Sequence, residues 1–200
     1  MTRRYSIVLP PAWTQFSATA KADDIIQQIA PGDLSVAPQL RVQLRKELSR
    51  MAEGARIIGG TGVLLPAARR GRGVIPANIV VVRADDLAQI EYRSGRLPRG
   101  WESAETEEVE IDGLPVIRAR QVGTLEAGRE AMNDAQIIRV DHFIPESADT
   151  PRELAMILRS TIMTSVGGTT MTDELIEIVE SLCDAISHSF RWLDPVTVDA

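Results

Sequence analysis

The sequence predicts a single domain of mixed α/β class. Runs of β-branched and apolar residues recur, clearest at Ala77–Arg83 and Gln136–Ile144, as strands require. An amphipathic helix closes the chain over Thr172–Leu193. Composition completes the case. Two hundred residues, 44% hydrophobic and 25% charged, suit one globular domain with a full core. No repeat or composition break divides residues 1–200, although the acidic stretch Gly95–Glu108 could mark a boundary between halves. Aromatics make up only 4%, so the core is expected to rest on Leu, Ile, Val, Ala and Met.

Tyr5–Leu9 reads as a first strand stopped by Pro10-Pro11, because proline cannot donate to a ladder. Trp13 and Phe16 follow in a loop that folds back onto the core. Lys21–Ala30 suits a short helix with Ile25, Ile26 and Ile29 on one face. Pro38–Glu53 is helical, with Leu40, Leu44, Leu48 and Met51 at steps of four, four and three, and Gly54 is expected to break it. Arg56-Ile57-Ile58 and Val63-Leu64-Leu65 read as short strands joined by a hairpin turn at Gly59-Gly60-Thr61-Gly62. Asp85–Ile90 is a helical turn. Gly95–Glu108 is polar and reads as a mobile loop.

Val109–Arg120 is strand-like, with Asp112-Gly113 as a hairpin turn signal. Gly123–Asn133 is ambiguous. In Gln136–Ile144, Ile138, Val140 and His142 fall on one face, and Ile137, Arg139, Asp141 and Phe143 on the other. Leu154–Met163 fits helix or strand; its β-branched tail favours strand. In the closing helix, Thr170–Asp173 has capping-box spacing. Leu175, Ile178, Val179, Leu182, Ile186 and Phe190 then fall at offsets of 0, 3, 4, 7, 11 and 15, one apolar stripe opposite Glu177, Glu180, Asp184 and Ser187.

The formal charge of −6 opposes nucleic-acid binding, which usually requires a basic stripe. Arg69, Arg70 and Arg72 form a local basic cluster that could touch an anion, although a solvated loop explains it more simply. The single Cys183 fits a reducing compartment and reads as a buried apolar group. The apolar run Ile7–Pro11 is shorter than the roughly 7–15 residues of a signal peptide, and no run approaches the ~18–20 needed to span a bilayer. These features place the chain in the cytoplasm, off the membrane.

No catalytic template fits. His142 and His188 lack metal-ligand spacing, no C-x-x-C exists, and Asp141 and His142 point to opposite sides of a strand; His142 reads as a satisfied structural histidine. Ser165-Val166-Gly167-Gly168 has no base beside it and reads as a structural loop. Gly59-Gly60-Thr61-Gly62 runs into a strand, so it lacks the helix N-terminus of a phosphate loop. The acidic run Glu102–Asp112 reads as solvated loop. The expectation is no catalytic residue, no metal and no cofactor.

Three patterns nonetheless suggest a family. Leu9-Pro10-Pro11-Ala12-Trp13 resembles the L-P-P-x-W opening of the Mog/PsbP-like superfamily. Val140-Asp141-His142-Phe143-Ile144-Pro145 resembles its strand running into a proline-bearing loop. Cys183–Trp192 is similar to its closing F-D-A-I-x-x-S-x-R-W helix, with Cys183 in place of the aromatic. The resemblance implies an α+β fold, an α/β/α sandwich whose mainly antiparallel sheet of about six strands carries helices on both faces. It also implies a binding or assembly factor. Members act on the Ran GTPase or in photosystem II, roles that no residue here specifies, and no shared catalytic residues carry over.

The leading expectation is therefore a non-enzymatic protein-interaction or assembly module with an unknown protein partner, a homodimer being one form it could take. A small-molecule-binding protein, or an enzyme with an unfamiliar site, is the alternative; an accessory role in secretion is a third. Of the tryptophans, Trp13 and Trp192 suit the core. Trp101, in the polar loop, is the candidate interface anchor.

Overall fold

A computed structural model describes residues 4–11, 13–29, 38–67, 75–124, 136–166 and 169–193. In chain order they form β1 (Arg4–Ser6), β2 (Trp13–Ser17), α1 (Ala22–Ile29), α2 (Pro38–Ile57), β3 (Gly60–Pro66), β4 (Ala77–Arg83), α3 (Asp86–Arg93), β5 (Glu105–Ile111), β6 (Leu114–Thr124), β7 (Gln136–Pro145), β8 (Leu154–Met163), β9 (Ser165–Val166), β10 (Thr169–Thr170), α4 (Asp173–His188) and β11 (Arg191–Leu193). Seven strands make one sheet in the order β2-β3-β4-β8-β7-β6-β5, against about six expected. Every neighbouring pair in it is antiparallel. Two meanders, β2–β4 and β5–β8, thus join along β4 and β8.

Period-2 alternation divides the core. Ala77, Ile79 and Val81 of β4 pack with Val179, Cys183 and Ile186 of α4. Val80 and Val82 pack with Ile25 and Ile26 of α1, Leu48 and Ala55 of α2, and Tyr92 of α3. The few aromatics are concentrated at these two cores. Phe190 stacks on Tyr5 at 5.7 Å and meets the edge of Trp192 at 5.0 Å. Phe143 stacks on Tyr92 at 6.2 Å and meets Trp101 edge-on at 6.0 Å.

Several expected elements hold. Asp112 and Gly113 both take positive φ, 56° and 71°, and close the β5–β6 hairpin at the Ile111–Leu114 pair. Leu154–Met163 is a strand, and α3 starts at the Asp85 cap, whose carboxylate accepts the Ala88 N–H at 2.7 Å.

Others are corrected. β1 spans three residues and pairs only with β11, and Trp13 and Phe16 stand in edge strand β2 rather than a loop. Helix α2 runs through Gly54 to Ile57, so residues 56–57 are not strand. One helical glycine costs about 1 kcal/mol, which burial of the next residue, Ala55, offsets, and the stop falls instead at Gly59, whose φ is +77°. The glycines that follow are no hairpin turn. Gly60 opens β3 beneath the helix end, where a Cβ would sit 2.6 Å from the Ala55 carbonyl oxygen. Residues 105–108 of the expected loop belong to β5.

The closing helix is shorter and differently turned than its stripe implies. It starts at the Thr172 cap, whose hydroxyl accepts the Leu175 N–H at 3.3 Å, and ends at His188. Val179, Cys183, Ile186 and Phe190 are buried, but Leu175 and Ile178 are 45% and 59% exposed, and Ser187 from the expected outer face is buried.

Two glycines test the α2–β3 junction. Gly60→Ala should lower stability by about 1–3 kcal/mol, since backbone must move to admit the methyl. Gly54→Ala, with nothing within 4 Å of the new Cβ, should raise it by about 0.8–1 kcal/mol. Urea unfolding of both variants checks the contrast, and equal effects would contradict it.

Candidate functional site

Charged side chains enter both faces of the sheet at its β5–β8 half. On the α4 face, Arg118 and Arg120 alternate along β6, each directly opposite a glutamate of β5, Glu107 and Glu105. Residues 180 and 184 lie one turn apart on α4 and therefore share a face. Arg118 donates from Nε and Nη2 to Asp184 at 3.1 and 2.9 Å, and from Nη2 to Glu180 at 2.6 Å. Arg120 Nε donates to Glu180 at 3.0 Å. The Arg118 and Glu180 side chains are only 12% and 13% exposed. Burial lowers the Arg118 pKa, but the hydrogen bonds to Asp184 and Glu180 outweigh it and hold the guanidinium above its ordinary value. The acidic run at Glu102–Asp112 is thus partly a paired strand, not wholly solvated loop.

His142 lies beside Arg118 in the register of β6 and β7 and is fully buried. Its Nε2 is 3.4 Å from Asp184 Oδ1, yet neither ring nitrogen makes a hydrogen bond. Sequence reasoning expects a satisfied histidine; the ring is buried but neither nitrogen is satisfied, and the nearest acceptor, Asp184 Oδ1, is also bound by Arg118. Burial, the neighbouring His188 ring at 5.6 Å and the Arg118 charge push the His142 pKa down to about 3. His188 turns its own Nδ1 to the Asp184 carbonyl at 2.8 Å, which makes that nitrogen the donor.

Asp141 points to the opposite face, as strand alternation requires. Its carboxylate is fully buried and accepts from Arg159 of β8, Nε at 3.0 Å and Nη2 at 2.8 Å. Burial raises the Asp141 pKa, and Arg159 opposes part of that rise. Arg139, two residues earlier on the same face, lays its guanidinium 4.2 Å from the Trp101 ring. Arg139 Nε and Trp101 Nε1 are both buried donors without an acceptor. Burial and the Arg159 charge lower the Arg139 pKa, and the Asp141 charge opposes part of that fall. Trp101 also lines an open groove of about 530 Å³, with Glu91, Arg96, Leu97, Arg99 and Glu102 among others. Glu91 accepts from Arg99 in it, at 3.0 Å from the backbone N–H.

The expected site residues fare unequally. Trp101 is 2% exposed, so it is not presented as a surface anchor; its indole fills the space between Phe143 and Arg139. Arg69, Arg70 and Arg72 lie outside the described residues, as do Gly167 and Gly168. Cys183 is fully buried and burial pushes its thiol up to about 12, which keeps it an apolar group. No three His, Cys, Asp or Glu side chains among the described residues are placed to hold a metal, and no described helix is long and apolar enough to cross a membrane. Neither arginine set was singled out from sequence. The signal was present, since Arg118/Arg120 and Arg139/Asp141 each repeat at period 2 inside strands.

His142 carries a pH prediction. The folded ring stays neutral down to about pH 3, while the unfolded ring titrates near 6.5. The unfolded state therefore binds the extra proton between those values, and stability falls as pH drops through that window, by about 1.4 kcal/mol per unit well below 6.5. Groups facing the ring are Arg118 from β6 and Asp184 and His188 from α4. His142→Leu should match or exceed the parent at pH 7.5, since no hydrogen bond is lost, and its advantage should widen at pH 5. Thermal melts at both pH values decide it; a gap that does not change with pH sinks the idea. Compared with known proteins, the chain matches no protein-family model and no curated protein.

Proposed function

We propose that the chain is a cytoplasmic, non-enzymatic protein-interaction or assembly module with a Mog/PsbP-like α/β/α sandwich fold. The observation that carries this reading is the apolar edge of α4. Leu175 and Ile178 stand one turn apart and are 45% and 59% exposed. Exposed Asp173, Glu174 and Glu177 flank them. An apolar pair ringed by carboxylates suits a partner segment that sets Lys or Arg around its own apolar side chains. A second copy of this chain would bring the same carboxylates face to face, so a distinct, basic protein partner fits better than a homodimer.

The test uses a photo-crosslinking residue at Glu177 in cells, with Leu175→Asp/Ile178→Asp as the comparison. Both side chains are about half exposed and neither is fully buried, so the double variant should melt within about 2–4 °C of the parent. The expected outcome is an adduct to one protein, mapped to a peptide with basic residues around apolar ones, that the double variant loses. Adducts that persist in the double variant, adducts to this chain itself, or none at all would each overturn the reading.

A further inference from the structure

We propose that Arg139 anchors a binding site for a small-molecule oxyanion, a carboxylate or a phosphate, on the sheet face opposite α4. Two arginines and one aspartate meet there. Arg159 and Asp141 are directly paired across β8 and β7 through three nitrogen–oxygen contacts of 2.8–3.2 Å, while Arg139 feels the Asp141 charge without a hydrogen bond to it. Arg139 is left over. Half-buried, it makes no hydrogen bond or ion pair with any described residue, and its one specific contact is the Trp101 ring at 4.2 Å.

Such an arrangement is costly without an anion. A half-buried cation beside a second arginine feels both desolvation and like-charge repulsion, and the Asp141 carboxylate and the ring face offset only part of that. The arrangement does what a binding site needs. Trp101, itself held edge-on by Phe143, fixes the plane of the guanidinium, so little side-chain freedom is lost when a ligand arrives. Both unsatisfied buried groups at the spot, Arg139 Nε and Trp101 Nε1, are donors, so the missing partner is an acceptor. The residues paired with Arg139 on either side, Thr161 on β8 and Gln121 on β6, are polar and half-buried, with the Gln121 amide donating to Ser103 at 3.4 Å. A bidentate oxyanion matches the guanidinium fork.

Phosphate and succinate are titrated separately into the intact protein, with chloride at equal ionic strength as control. Melting temperature and tryptophan emission are followed in the parent, Trp101→Phe, Arg139→Met and Arg139→Lys. The expected result is a melting-temperature rise with at least one oxyanion, accompanied by an emission change that Trp101→Phe removes. Arg139→Met should abolish the response while melting no lower than the ligand-free parent, because it removes an unpaired charge. Arg139→Lys, which cannot offer the fork, should weaken binding roughly tenfold or more. A response to phosphate alone or to succinate alone assigns the ligand class. No response beyond chloride, or a response that survives in Arg139→Met, overturns the proposal. If Arg139→Met fails to fold, Arg139 is a structural residue and the Lys variant decides: undiminished binding there also overturns it.

Discussion

Arg118 and Arg120 stand on one face of β6, and a helix can lie over them only if it brings carboxylates to within hydrogen-bonding distance. That requirement governs the α4 half of the molecule. Leaving a guanidinium covered and unpaired costs about 3–5 kcal/mol, whereas exposing a Leu or Ile forfeits about 1.5–3. With two arginines to satisfy, the helix turns Glu180 and Asp184 inward and leaves Leu175 and Ile178 outside. The same choice places Asp184 and His188 against His142 beside Arg118, and burial, the His188 ring and the Arg118 charge keep the imidazole neutral.

How much of this was legible depended on the range of the interaction. Elements set by local chemistry were readable: the positive-φ pair Asp112-Gly113, the alternation along Gln136–Ile144 with Asp141 and His142 on opposite faces, and the β-branched tail of Leu154–Met163. The stripe on α4 was readable as a helix but not as an orientation. Hydrophobic periodicity finds the apolar side of a helix; it cannot weigh that side against charged residues on a strand some sixty positions away. Trp101 fails for a related reason. A polar local stretch suggests exposure, but Phe143 and Arg139, distant in sequence, supply the surface that buries the ring.

Glycine 54 and its followers show propensity losing to packing. A lone glycine inside a helix reads as a stop, yet Ala52 and Ala55 lie against the sheet and keep the turn intact. Gly60 then permits the strand to start beneath the helix end, where any side chain would strike the Ala55 carbonyl. Close approach of a helix end to the strand that follows it leaves a run of glycines, and from sequence alone that run looks like a turn.

The two faces of the β5–β8 half treat charge differently, and the difference locates both surfaces on which function can rest. On the α4 face Arg118 and Arg120 each find carboxylates from β5 and from the helix, and the helix leaves Leu175 and Ile178 outward among exposed carboxylates. On the other face one aspartate serves two arginines. It hydrogen-bonds Arg159, its cross-strand partner, and reaches Arg139 only through its charge, so the hydrogen-bonding groups of Arg139 are left beside an aromatic ring. An unmatched charge beside a sheet is costly, so the cation whose one specific contact is an aromatic ring stands, together with the exposed apolar edge of α4, among the places where something from outside the described chain gains by binding.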